Sequence, residues 1–239
     1  MIRSAVLCRE VRTVLSQSMH NMAVAYDNVQ LTHMKEPCIE VDEKDNIIGS
    51  VSKLDAHCGS KLVLHRAFSV FAFTPKNELI LQKRSDSKIT FPSLWTNACC
   101  SHPLFNDSEM NGVNGVTRAA IRKLNHELGI TGVREEDLAS VGRFLYKAQM
   151  KDGVWGEHEM DYVLVLRNFD VSRLNPNPEE VSDVRCVSEK DLYSWLSDKP
   201  SDFTPWFLLL QNGYLREWWK DLHLYNKDEK YSPEITRLS

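Results

Sequence analysis

The stretch TNACCSHP, residues 96–103, holds two adjacent cysteines, Cys99 and Cys100, with one residue between them and His102. Residues of these types bind a metal, present a reactive thiol, or close a strand with sulfur in the core. A second stretch, GEHEMDY, alternates Glu157, Glu159 and Asp161 with His158, Met160 and Tyr162. In a strand that alternation puts the three acids on one face. Read alone, the stripe is a solvent-facing acidic edge. A turn at Lys151-Asp152-Gly153 folds the segment back, setting Tyr146 opposite His158 and close to both glutamates. His57 and His65 flank CGSKLVL, which is not a helical ligand spacing such as HExxH. Each alone reads as a surface or satisfied core residue. Joined by His102 and the two glutamates, they form an imidazole–carboxylate set of the kind that holds Zn, Mn or Fe. Lys53, Arg84, Lys88, Arg122 and Lys123 are solvated surface by default. Converging on one cleft, they would grip a phosphate or diphosphate.

The elements that must position these residues follow from pattern. CIEVDEKDNIIGSV reads as strand, polar turn, strand. In LHRAFSVFAFTPKNELILQKRS, residues 67–73 are apolar on both faces, which predicts a strand covered on both sides, and residues 79–82 form its partner. NGVTRAAIRKLNHELGI reads as a helix with Val116, Ala120, Leu124 and Leu128 on one stripe and Gly129 ending it. SEKDLYSWL opens a helix with Ser188 as N-cap, and TPWFLLLQNGYLREWWKDL reads as one final amphipathic helix with Pro205 near its start. Strands, a helix between them and helices at the end give an α/β fold: a mixed sheet layered between helices.

The chain of 239 residues suffices for one well-cored domain, assigned to residues 36–239. Residues 1–35 form an N-terminal extension, disordered or a targeting segment: its first part carries Arg and Ser, with Glu10 as the sole carboxylate among residues 1–23. A net charge of −4 argues against general nucleic-acid or membrane-surface binding. No apolar run approaches the roughly 20 residues of a membrane helix. Six cysteines in a chain this long are not a disulfide scaffold, so reduced thiols are expected.

AAIRKLNHELGI resembles the end of the Nudix signature, R-E-U-x-E-E-x-G-U. Arg122, Leu124, Glu127, Gly129 and Ile130 fit it. Lys123 and His126 stand where the signature has glutamates, and its upstream Gly and Glu fall on Ser108 and Asn114. The missing carboxylates remove much of the metal cluster that activates water for hydrolysis.

LHRAFSVFAF, LQKRSDSKITFP, WTNACCSHPL, AAIRKLNHELGI, YKAQ, WGEHEMDYVLV and TPWF, in this order over residues 53–206, resemble type I isopentenyl-diphosphate isomerases, the animal and fungal kind above the shorter bacterial one. The resemblance implies a Nudix-like fold with an N-terminal strand extension and C-terminal helices. It implies reversible isomerisation of isopentenyl to dimethylallyl diphosphate through a tertiary carbocation, in isoprenoid and sterol biosynthesis. It assigns proton transfer to Cys100 rather than Cys99, and to Glu159 assisted by Tyr146. It assigns a divalent metal (Zn2+, Mn2+ or Mg2+) to His57, His65, His102, Glu157 and Glu159, and a Mg2+ on the diphosphate to Glu127 and the Cys100 carbonyl. Lys53, Arg84, Lys88, Lys123 and Ser101 are implied substrate contacts, and Trp206 the aromatic facing the reacting carbons. A monomer is implied, acting on a small isoprenoid diphosphate in the cytoplasm or the peroxisome, while the Arg- and Ser-bearing N-terminus adds the mitochondrion as another address. Two positions depart from the family pattern. Ser93 replaces a Gly, a strain if that position needs positive φ. Lys123 replaces an Arg, keeping charge but losing bidentate geometry. The rival readings are a Nudix pyrophosphohydrolase acting on a nucleoside diphosphate derivative and a non-catalytic metal-binding module.

Overall fold

A computed structural model describes residues 28–59, 61–225 and 234–238. In chain order the elements are α1 (Asn28–His33), β1 (Pro37–Val41), β2 (Ile47–Ser52), α2 (Lys53–His57), β3 (His65–Phe73), β4 (Leu79–Arg84), β5 (Trp95–Asn97) and β6 (Cys99–Ser101). They continue with α3 (Gly112–Leu128), β7 (Leu138–Gln149), β8 (Gly156–Leu166), β9 (Val181–Val187), α4 (Glu189–Asp198), α5 (Pro205–Leu210), α6 (Arg216–Lys220) and β10 (Ile235–Arg237).

The doubly apolar run becomes β3, every residue of which is buried. It is the hub of the sheet, parallel to β8 and antiparallel to β1, β6 and β4 along successive parts of its length. The main path runs β10-β7-β8-β3-β1-β2, with β4, β5, β6 and β9 joined to it through β3 and β4. The two faces carry separate cores. On one, Val116, Ala120, Leu124 and Leu128 of α3 pack on Phe68, Val70 and Ala72. On the other, α4, α5 and α6 cover Phe71, Phe73, Val163 and Val165. The sheet is thus layered between helices, as expected.

Local signals held where they were strong. Gly129 ends α3 at φ 64, its N–H bonding Asn125 O, with Ile130 N–H reaching Leu124 O. The Ser188 hydroxyl caps α4 by accepting the Asp191 N–H at 3.2 Å. Ser93 sits at φ 61, the left-handed conformation a Gly would take without strain, at a cost on the order of 1 kcal/mol. Its hydroxyl donates to Asp86 Oδ1 at 2.6 Å, which anchors the turn.

Three expectations change. The final helix is broken: Asn212 (ψ 80) and Gly213 (φ 113) leave the helical region and separate α5 from α6. Asn-Gly is a turn signal, and here it prevails over the apolar periodicity that predicts one continuous helix. The β7–β8 register differs by one residue, with Tyr146 opposite Glu159 and Lys147 opposite His158. Residues 150–155 form the loop, so the symmetry point falls between Asp152 and Gly153 rather than on Asp152. Finally, the boundary at residue 36 cuts through packed structure. α1 lies against the body of the domain, with Gln30 and Met34 buried, while residues 1–27 of the expected extension lie outside the described residues.

A buried ionic knot locks the sheet on the α3 face. Asp45, in the β1–β2 turn at φ 67, accepts from Arg66 Nε at 2.9 Å, from Arg143 Nη1 at 3.0 Å and from the Tyr162 hydroxyl. The two guanidinium carbons lie 5.7 and 5.8 Å from the Tyr162 ring centroid. One carboxylate therefore ties the β1–β2 turn to β3, β7 and β8. Asn tolerates the same backbone conformation, so Asp45→Asn isolates the charge. It should lower unfolding free energy by about 3 kcal/mol, measured by urea denaturation. A loss below about 1 kcal/mol, the range of a surface ion pair, would show the knot to be dispensable.

Candidate active site

Four elements bring the three histidines and two glutamates together. α2 is a single turn opened by the Ser52 hydroxyl, which accepts the Asp55 N–H at 3.1 Å, and it ends on His57. His65 begins β3, His102 follows β6, and Glu157 and Glu159 project from β8. Because β3 and β8 pair with His65 opposite Glu159, the imidazole and the carboxylates share one neighbourhood. The acidic stripe is therefore not a solvent edge: Glu157, Glu159 and Asp161 are all buried.

The three imidazoles pack with ring centroids 4.6 to 4.8 Å apart. His57 Nδ1–H donates to Lys53 O at 2.7 Å and His65 Nδ1–H to Val63 O at 2.8 Å. A carbonyl only accepts, so in both rings the hydrogen is on Nδ1 and the Nε2 lone pair faces inward. What those lone pairs face is the carboxylates. His57 Nε2 is 2.7 Å from Glu157 Oε2, His102 Nε2 is 2.8 Å from Glu159 Oε1, and His65 Nε2 is 3.7 Å from the same oxygen. His57 Nε2, His65 Nε2 and Glu157 Oε2 are buried without any hydrogen-bond partner. Acceptors pointed at one another in a dry site need a cation or a proton between them.

Electrostatics agree. Burial lowers all three histidines, His57 to about 3, so they rest as neutral donors of lone pairs. Burial also pushes Glu157 up to about 7 and raises Glu159 well above the usual carboxylate range, with the neighbouring Glu157 charge adding to the effect. Ligand atoms of these five residues all lie within 4.8 Å of one another. Backbone-fixed Nδ1–H groups with inward Nε2 atoms are the arrangement of a metal-binding imidazole set.

Beside the cluster lies a cavity of about 40 Å³. Tyr146 donates its hydroxyl to Glu159 Oε2 at 2.5 Å, and both line this cavity. Cys100 and Trp206 line it too. Cys99 points to the α3 face of the sheet, where its Sγ meets Glu127 Oε2 at 3.5 Å. Burial raises both thiols, Cys100 to about 12 despite the Arg84 guanidinium 3.8 Å from its sulfur. The five described cysteines are free.

Residues 63–207 match the family model of the NUDIX domain. The chain is 47% identical over 208 residues to the isopentenyl-diphosphate delta-isomerase of Gibberella zeae, covering 82% of this chain and 81% of that one. It is 45% identical to isopentenyl-diphosphate delta-isomerase 1 of Mus musculus, covering 82% and 90%. The chain belongs to the isopentenyl-diphosphate delta-isomerase family. Its fold is also that of a Deinococcus radiodurans crystal structure, with TM-score 0.56 at 16% identity over 75% of this chain and 99% of the other.

The isomerase-family cavity gathers most of the expected substrate residues: Lys53, Arg84, Lys88 and Ser101 line it. Two lysines are already paired, Lys53 Nζ with Glu36 at 3.8 Å and Lys88 with Glu180. Burial opposes the Glu180 charge, but Lys88 and Lys123 outweigh it and hold the carboxyl well below its ordinary value. Lys123 and Glu127 do not line the cavity. They pair with each other at 3.3 Å, and Gln82 donates to the second Glu127 oxygen at 3.1 Å. Glu127 is also outside the histidine cluster. Several residues at the site are ones to which the sequence pattern assigns no role. Gln30 and His33 of α1 and Met34 just after it reach the cavity, which only a tertiary contact reveals. Asp161, raised well above its usual range by burial, takes a hydrogen bond from Ser69 at 2.9 Å beneath Glu159. Thr96 and Asn97 stand in the quoted TNACCSHP.

Protein purified without chelator should retain about one equivalent of a divalent metal in this cluster. His57→Ala and Glu157→Gln should each lose it while keeping the parent circular dichroism. Elemental analysis after dialysis checks this. Full metal content in both folded variants would place the ion elsewhere.

Proposed function

We propose that this protein interconverts isopentenyl diphosphate and dimethylallyl diphosphate. The observation that carries the reading is that Cys100 and Glu159, delivered by β6 and β8, line one cavity together with the Trp206 indole. The activity printed for relatives at 45 to 47% identity supports it. The helix position that a hydrolase fills with carboxylates holds Lys123 and His126, 3.3 Å apart, which argues against water activation there.

The reaction moves one double bond without net change of protons or electrons. One member of the Cys100/Glu159 pair gives a proton to the terminal methylene carbon. The double-bond electrons form the new C–H bond and leave a tertiary cation at the branched carbon. The other member removes a proton from the neighbouring methylene, and that C–H pair becomes the new double bond. The reverse reaction exchanges the two roles. The thiol, with its value near 12, rests protonated. The Tyr146 hydroxyl, bonded to Glu159 Oε2, steadies the carboxyl oxygen that carries or takes the proton. The Trp206 ring offers a π face and no lone pair to trap the cation, an attraction of about 2 kcal/mol when desolvated. Lys53, Arg84, Lys88 and Ser101 hold the diphosphate and so fix the alkene between the two groups.

The buried acceptors of His57, His65 and Glu157 fit a resident divalent ion, Zn2+, Mn2+ or Mg2+, held by the three histidines with Glu157 and Glu159. When bound, it supplies the positive charge that lets both carboxylates stay in a dry site. A Mg2+ accompanying the diphosphate belongs to the substrate. Glu127 could hold it only after releasing Lys123, since both its oxygens have protein partners.

The deciding experiment incubates the protein with isopentenyl diphosphate and Mg2+ in deuterated water. Deuterium in the allylic product is expected, whereas neither product nor exchange at micromolar enzyme would sink the assignment. Cys100→Ala and Glu159→Gln should each cut turnover by more than about 1,000-fold. Cys99→Ala, altering the opposite face of the sheet, should retain activity within about threefold. Equal losses from the two cysteine variants would overturn the choice of Cys100.

A further inference from the structure

Buried between the Cys100 thiol and the Trp206 indole is a side-chain network with one self-consistent hydrogen-bond direction. Asn97 Nδ2 donates to Val70 O at 3.2 Å and to Cys99 O at 2.7 Å. Carbonyls cannot donate, so the amide is fixed with Oδ1 facing the other way, and Oδ1 only accepts. The Thr96 hydroxyl, 2.9 Å away, must therefore give its single hydrogen to Asn97 Oδ1. That leaves its two lone pairs, which accept the Trp206 Nε1–H at 2.9 Å and the Thr204 hydroxyl at 3.0 Å. Trp206 Nε1–H also leans toward Asn97 Oδ1 at 3.3 Å. Thr96, Asn97 and Thr204 are fully buried.

We propose that Thr96, oriented by Asn97, is a positioning residue that holds the Trp206 indole in the pose its face needs beside Cys100. This rests on the reading of Trp206 as the cation-facing ring. Three features carry it. First, the Thr96 oxygen is the shared fixed point: Cys100 Sγ lies 3.9 Å from it and the indole nitrogen 2.9 Å. Second, its hydrogen and both lone pairs are used, so it turns no open acceptor toward a carbocation. Third, the indole has one polar atom, and anchoring that N–H leaves only rotation about the anchored edge. Phe91, edge-on at 5.3 Å and 89°, blocks that rotation on one side. The Arg84 guanidinium carbon, 5.6 Å from the ring centroid, is a second neighbour that limits it. The backbone supports the same docking, since Thr204 N–H donates to Trp95 O at 2.9 Å. The TN of TNACCSHP thereby acquires a role in ring placement.

Thr96→Val keeps shape and deletes the hydroxyl; Thr96→Ser keeps the hydroxyl. With isopentenyl diphosphate as substrate, Thr96→Val should lower kcat about 100-fold and leave KM within about twofold. Thr96→Ser should restore kcat to within about threefold of the parent. In a Trp206→Phe background, Thr96→Val should cost less than about threefold more, because the group it acts through is gone. The Trp206 indole N–H resonance, assigned with Trp206→Phe, should move in Thr96→Val and not in Thr96→Ser. Retained kcat in Thr96→Val, an unmoved indole resonance, or an equal loss in the Trp206→Phe background each overturns the proposal. Should the valine variant not fold, the unaltered protein still decides: its Trp206 indole proton should exchange slowly with deuterium, and exchange at the rate of an exposed indole overturns it. A parent protein that fails to isomerise isopentenyl diphosphate would remove the proposed function, while the indole readout would still report on the network.

Discussion

Two buried carboxylates face imidazole lone pairs in this protein, and much of the architecture follows from that. Unlike a salt bridge, the pairing of neutral His57 Nε2 with Glu157 Oε2 at 2.7 Å gains nothing by itself. In a medium of low effective dielectric, charge that water would dissipate must be met locally. Protonation meets it in part, which is why burial pushes Glu157 to about 7. A divalent cation would meet it more fully, because the inward Nε2 atoms of His57 and His65 and the Glu157 oxygen are acceptors without a partner. The sheet then has to be stiff and in register, since a donor set with ligand atoms inside 4.8 Å of one another cannot be assembled from mobile loops.

Strand period supplies that precision. β8 carries Glu157, Glu159 and Asp161 on one face and Met160 and Tyr162 on the other, where Tyr162 joins the Asp45 knot. One strand therefore serves the active site and the structural lock at once, and a slip of one residue would exchange them. The same logic separates the two cysteines. Opposite Val70 and Ser69 on β3, Cys99 and Cys100 point to opposite faces, one into the α3 core and toward Glu127, the other into the cavity. Two adjacent residues of the same chemistry thus have different surroundings.

What was legible in the sequence was what depends on near neighbours. The stripe of α3, the stop at Gly129, the cap at Ser188 and the one-faced acids all follow from periodicity and local hydrogen bonding. Positive φ at Ser93 was legible too, because a Gly was expected there. What was hidden depends on distant chain. Gln30 and His33 of α1 and Trp206 of α5 share the cavity with Glu157 and Glu159, which no pattern in β8 reveals. The place of Tyr146 turned on whether the hairpin loop is odd or even. The break at Asn212-Gly213 shows a turn signal prevailing over apolar period. Asp45 reads as one more polar turn residue, and its partners Arg66, Arg143 and Tyr162 come from three other strands. Thr96 and Asn97 were visible as letters, but their role is a direction of hydrogen bonds that exists only once Trp206 arrives from α5.

The proposed diphosphate end of the site follows the same principle as the histidine–glutamate end, with the signs reversed. Lys53 and Lys88 line the cavity already matched by Glu36 and Glu180, so their charges are not left bare in the absence of a ligand. In the proposed reaction an entering diphosphate would exchange one set of anionic oxygens for another and gain only the difference. Such an exchange would temper binding, which suits the proposed reaction, whose substrate and product carry the same diphosphate and must both be able to leave. Arg84 is held differently. Its Nε and Nη2 donate to Thr90 O and Phe91 O, and Nη1 is turned toward the Cys100 sulfur. With no carboxylate to release, it is the fixed cation of the set, and its positive charge lies where a thiolate formed in the proposed proton transfer would need it. The pull of that guanidinium on the thiol is outweighed by burial in the resting protein. The balance of these two effects sets how readily Cys100 can give up and regain its proton.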